Sequence, residues 1–205
     1  MSKEYKLLLS ITLLALFILK CGDDEVDTPY HYSFKTPTDT LMTFRDAFNF
    51  RDVDDAYYRL EETIHSEFTF HFDPKDVGEE VPGTGYIIPE SWNRGEFLKA
   101  CDSMLLNAYS IDIKFPDLDD GLGDPGNDDS YTVEGLRIYC IAMLSSYYGC
   151  LAEGTVDIGF IRDGSSWRIT TIEDHTGLYE GVVSSERLMV IWNTTLGVIL
   201  ALFTQ

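Results

Sequence analysis

"IGFIRDGSSWRITTIED", residues 158–174, is the stretch on which the reading of the fold turns. Asp163-Gly164 ahead of two serines marks a tight turn, because glycine adopts the positive φ that a short hairpin loop needs. Before the turn, Val156, Ile158 and Phe160 recur at every second position; after it, Trp167 opens a run rich in β-branched residues, Ile169-Thr170-Thr171-Ile172. Period-two patterns on both sides of a turn predict an antiparallel hairpin with one buried face.

Further back, Leu136, Ile138, Cys140, Ala142 and Leu144 share a face in the same way, and Ala108 to Phe115 alternates as well. Ahead of these strands the period is helical. Thr36-Pro37-Thr38-Asp39 offers a capping hydroxyl, a proline at the first helical position and an acid in the first turn. Leu41, Phe44 and Phe48 follow at helical spacing, and Asp52 offers an N-cap for a second helix that buries Ala56, Leu60 and Ile64. From Phe68 the period changes to two: Phe68, Phe70 and Phe72 face one way, Thr69, His71 and Asp73 the other, until Pro74 ends the strand. Asn93 with Glu96 makes a capping box for a third helix carrying Phe97, Cys101 and Leu105. Three helices followed by a meander of strands predict an α+β domain, the helices packed on one face of a curved antiparallel sheet.

That order resembles the nuclear transport factor 2-like superfamily, which includes the SnoaL-like (polyketide-cyclase-like) and ketosteroid-isomerase-like proteins. The resemblance covers roughly residues 36–175. It rests on the helical stretch "FRDAFNFRDVDDAYYRL", the strand "FTFHFDP", the helix start "ESWNRGEF" and the closing hairpin quoted above. It implies a cone-shaped fold, with a pocket between the sheet and the helices. In ketosteroid isomerases a carboxylate near the end of the first strand abstracts a proton, and Asp73 falls close to that position. His71 shares the polar face of the strand with it. Phe44, however, stands where the family has its proton-donating tyrosine, and no nucleophile or second acid donor is identifiable. The expected function is therefore a non-catalytic ligand-binding or interaction module; the alternative is a small isomerase or lyase using Asp73 as general base. Phe44, Phe48, Tyr57, Phe70, Phe72 and Trp92 either line the pocket, around a small apolar ligand, or fill it.

The N-terminus bears on location. Leu7 to Leu19 is uncharged and follows Lys3 and Lys6, but a helix spanning a bilayer needs about 20 apolar residues. This is the layout of a signal peptide over residues 1–20. Ile18-Leu19-Lys20-Cys21 resembles the lipobox of bacterial lipoproteins, with Lys20 where the family has a small residue. The resemblance implies lipid on Cys21, a tether over residues 21–35 and a domain over 36–205 with an apolar tail. The protein would then be exported and anchored in the bacterial cell envelope, at the outer membrane where there is one.

The whole chain carries a net charge of −20; without residues 1–20, 12 basic side chains face 34 acidic ones, a net −22. Such a surface repels phosphate backbones and anionic headgroups, which argues against nucleic acid and leaves the lipid as the only route to a membrane. Cys101, Cys140 and Cys150 are an odd number, open to one disulfide or to burial as thiols, and no C-x-x-C pair suggests zinc. Asp117, Asp119, Asp120, Asp124, Asp128 and Asp129 crowd a glycine-bearing loop but break the calcium-loop pattern, with Leu122 at its sixth position. Neither a metal nor a cofactor is expected. Tyr139, Ile141 and Met143 lie opposite the Ile138, Cys140, Ala142 set, so this strand is apolar on both faces. The tail from Leu188 to Phe203 reads as a terminal element over the core or a partner subunit, and the second face is covered either by that tail or by a second copy, forming a homodimer through the sheet.

Overall fold

Thr36 opens the first helix, α1 (Pro37–Asn49): its hydroxyl accepts the Asp39 N–H at 3.0 Å, and Pro37 has no N–H to strand. The computed structural model describes residues 30–52, 55–177, 181–184 and 190–204. The expected signal peptide, Cys21 and Leu188 lie outside the described residues. Among those described, no helix is long and apolar enough to cross a membrane.

The second helix, α2 (Ala56–Thr63), starts later than the Asp52 cap predicts. Asp55 precedes it with φ +74° and makes no capping bond with its side chain. Ile64 is not on this helix either. It is the first residue of strand β1 (Ile64–His71), where it pairs with Ile169; a β-branched residue at a helix end gives way to extended backbone once a neighbouring strand takes its hydrogen bonds. After β2 (Ser91–Asn93) comes α3 (Arg94–Asn107), closed by the expected capping box: Asn93 Oδ1 accepts from the N–H groups of Gly95 and Glu96 at 2.9 and 3.1 Å, and the Glu96 carboxylate accepts the Asn93 N–H at 2.9 Å.

The remaining strands are β3 (Ser110–Lys114), β4 (Ser130–Met143), β5 (Tyr148–Asp163), β6 (Ser166–Thr176), β7 (Gly181–Ser184) and β8 (Val190–Thr194), followed by helix α4 (Leu196–Leu202). The sheet runs β2-β1-β6-β5-β4-β3. Its meander from β3 to β6 is antiparallel, as expected, while β1 joins β6 and β8 joins β5 in parallel. Gly164, with φ +63°, turns β5 into β6. Register shifts between Val133 and Leu136 on β4 and between Gly159 and Phe160 on β5 bend the sheet. Its inner face carries Phe68, Phe70, Ile138, Cys140, Ile158 and Ile169, all buried against Leu41 and Phe48 of α1, Leu60 of α2 and Phe97 of α3.

Two placements matter for the site. Tyr30 to Lys35, expected as the end of the tether, are docked on the domain: the Ser33 N–H donates to Thr43 Oγ1 at 3.0 Å and the Trp167 N–H to the Phe34 carbonyl at 2.8 Å. Along β5, strands β6 and β8 share one edge end to end, Thr176 standing opposite Gly154 and Thr194 opposite Ala152. The chain therefore leaves β8 beside the end of β6 and turns into α4 there. The three cysteines of the domain are free buried thiols, and burial pushes that of Cys150 up to about 11.

Candidate functional site

The inner face of the sheet and the helices enclose the space in which a pocket is expected. Phe44 and Phe48 of α1, Phe97 and Met104 of α3, and Ile138, Val156 and Ile158 of the sheet line it, together with Leu196 and Leu200 of α4. Only about 20 Å³ is free, room for about one water-sized sphere. Among the described residues every one that lines it is apolar, and none of these side chains can exchange a proton or orient a polar substrate. Of the covers expected for the tail, the core, a partner or the outer face of the sheet, its helix α4 takes the first and enters the cone.

What seats α4 is a buried acid. Asp174 is 1% exposed; one carboxylate oxygen accepts the Thr176 N–H at 3.0 Å and the Thr176 hydroxyl, the other the Gly197 N–H at 2.6 Å. Thr176 Oγ1 accepts the Leu196 N–H at 2.7 Å, and Thr195 caps the helix by accepting the Val198 N–H at 3.2 Å. Desolvation raises the Asp174 carboxyl above the ordinary carboxylate range; the donors pull the other way and Asp73 adds to the rise. Gly197 passes so close that a Cβ there would lie 2.5 Å from Phe72 Cδ1. Sequence reasoning passed over this role for Asp174. The available signal was its place two residues before Thr176 at the end of a strand whose earlier inward positions, Trp167, Ile169 and Ile172, are apolar.

The expected acid–base residues are elsewhere. Asp73 ties a turn: its carboxylate accepts the Lys75 N–H at 3.0 Å and lies 3.5 Å from the Lys75 ammonium, and it does not line the apolar space. His71 lies in an open surface groove with Glu90, Glu173 and His175. Strand alternation is the reason, since Phe70 and Phe72 point inward and their neighbour must point out. Of the six aromatic residues, Phe44 and Phe48 line the inner space. Phe70, Phe72 and Trp92 pack on one another instead, Phe72 edge-on to Trp92 at 4.7 Å, and Trp92 Nε1 donates to the Tyr86 hydroxyl at 2.8 Å. Tyr57 is 37% exposed on α2, away from that space, because it occupies the turn facing solvent.

The acidic loop brings no ligand set together among the described residues. Asp117, at its start, is held below the usual carboxylate range by hydrogen bonds from the Arg137 guanidinium, and Asp124 accepts the Gly126 N–H at 2.8 Å. The described residues whose ligand atoms do converge are Asp157, Glu173 and His175, on the outer face of the β5–β6 hairpin.

No family model matches the chain, and no curated protein matches its sequence. Among solved structures it is similar to a Novosphingobium aromaticivorans protein described provisionally as a scytalone dehydratase, at 8% identity and a TM-score of 0.48, over 67% of this chain and 78% of the other. It is also similar to a protein from Kribbella flavida at 13% identity and a TM-score of 0.45, over 79% and 91%. A third is a Streptomyces avermitilis protein of the NTF2-like family, described provisionally as a dehydratase, at 14% identity and a TM-score of 0.42, over 65% and 88%.

Proposed function

We propose that this chain, whose fold is the nuclear transport factor 2-like cone, is a non-catalytic ligand-binding or interaction module, exported and held at a bacterial membrane by lipid on Cys21. The observation that carries the non-catalytic reading is the interior: about 20 Å³ of free space, lined, among the described residues, by apolar side chains. Proton abstraction from carbon requires a base within hydrogen-bond reach of the substrate and a donor for the developing oxyanion. Phe44 offers no donor, and Asp73 is occupied with its own turn. A small apolar ligand enters this cone only when Leu196 and Leu200 withdraw, so the module works through its surface while α4 is seated. The outer face of the sheet, where Tyr139 and Ile141 are half-buried, is the surface for a second copy.

The test is direct. The chain is incubated with β,γ-unsaturated and β-hydroxy ketones in D₂O, and deuterium at the α-carbon is followed by NMR. No incorporation above buffer is expected. Incorporation that Asp73→Asn abolishes would overturn the non-catalytic reading in favour of the isomerase or lyase. For the anchor, mass spectrometry of the membrane fraction should find an N-terminal peptide beginning at Cys21 with added acyl mass; a mature chain that retains Met1 would refute it.

A further inference from the structure

We propose that Asp157, Glu173 and His175 form a binding site for a divalent cation of the zinc class on the outer face of the sheet. Asp157 on β5 stands directly opposite Glu173 on β6, and His175 is two residues further along β6 on the same face. The ligand atoms of all three lie within 4.8 Å of one another. His175 Nε2 and Asp157 Oδ2 are already 3.3 Å apart, close to the edge of about 3.4 Å expected between two ligands of a tetrahedral zinc with bonds of about 2.1 Å.

The surroundings orient the set. The other Asp157 oxygen accepts the Gly135 N–H at 2.6 Å, which turns Oδ2 toward the imidazole, as an outer-shell donor does in metal sites. Gly135 supplies that N–H from the register shift on β4, with φ +64°. Two carboxylates opposed across antiparallel strands repel, and among the described residues neither makes an ion pair with lysine or arginine. A cation between them removes that repulsion. An imidazole in the set selects zinc over calcium or magnesium, which take oxygen ligands. Glu173 and His175 border the open groove that His71 also lines, so water would have access to complete the set.

The experiment is calorimetric titration of the chelator-stripped full chain with zinc chloride, with the His175 ring resonances followed by NMR. One equivalent should bind and shift those resonances, and calcium chloride should do neither. His175→Ala and Asp157→Asn, at sites whose side chains are not in the core, should each weaken zinc at least tenfold while still unfolding cooperatively without metal. No binding, or zinc affinity changed less than threefold in both variants, overturns the site. Calcium binding as tight as zinc overturns the assignment of cation class.

Discussion

Leu200→Ala tests whether α4 is what closes the cone. Leu200 is 3% exposed and lines the inner space between α1, α3 and the sheet. The substitution removes three side-chain carbons, and their transfer at about 0.8 kcal/mol each amounts to about 2.4 kcal/mol. The surrounding phenylalanines are held by the sheet and by two other helices, so the wall collapses only in part. A residual void of about 50 Å³, at about 24 cal/mol per Å³, adds about 1.2 kcal/mol. The expected loss is therefore about 3.6 kcal/mol, read as a lowered urea midpoint at unchanged slope. Leu106→Ala, at a position 75% exposed on α3, is the control and should stay within about 0.5 kcal/mol. Because the enlarged space is dry and apolar but too small for benzene, xenon is the probe, and it should raise the midpoint of Leu200→Ala and leave the wild type unmoved. A loss under about 1 kcal/mol, or an equal xenon effect on both proteins, would refute a seated α4 and reopen the cone as a ligand pocket.

The other predictions concern the seat of that helix and the outer face. Gly197→Ala forces a methyl against Phe72, which is wedged between Phe70 and Trp92; a destabilisation of about 1–3 kcal/mol is expected in urea unfolding, and an unchanged midpoint would refute the tight seating of α4 on Phe72. For Asp174 the sign follows from its raised carboxyl: the folded state holds the proton more tightly than the unfolded one, so the group's contribution is full below about pH 4 and falls as pH rises through the raised value. The stability of Asp174→Asn relative to wild type should therefore improve between pH 4 and pH 7 in urea titrations, and a difference independent of pH would contradict ionisation in a buried site. Light scattering of the chain without residues 1–21 should give twice the monomer mass and, with Ile141→Lys, the monomer mass; a monomeric parent protein would dismiss the second copy.

Much of the fold was legible because its signals are local. A capping hydroxyl before proline, an asparagine three residues before glutamate and an Asp-Gly between two alternating runs each act within a few residues, and α1, α3 and the β5–β6 hairpin follow from them. The inward facing of Phe68, Phe70 and Phe72 follows from a period of two, and that same alternation sends His71 to the other face. Ile64 went astray because its place depends on Ile169, a partner more than a hundred residues away, and no local propensity encodes that pairing.

What the tertiary structure alone decided lies at junctions between distant segments. Aromatic spacing is the same whether a cone is open or filled; only the packing of α1, α3, the sheet and α4 reduces it to about 20 Å³. Helix α4 could have covered a face or a partner until β8 paired along β5 and delivered it beside Asp174 and Thr176. The triad on the outer face rests on a single slip of register: counted from the Gly164 turn without a bulge, Asp157 would oppose Ile172, and the shift between Gly159 and Phe160 moves it onto Glu173. Composition and periodicity determine which residues must leave water, since burial acts on each residue by itself. Which of them meet is set by pairing and bulges summed over the whole chain.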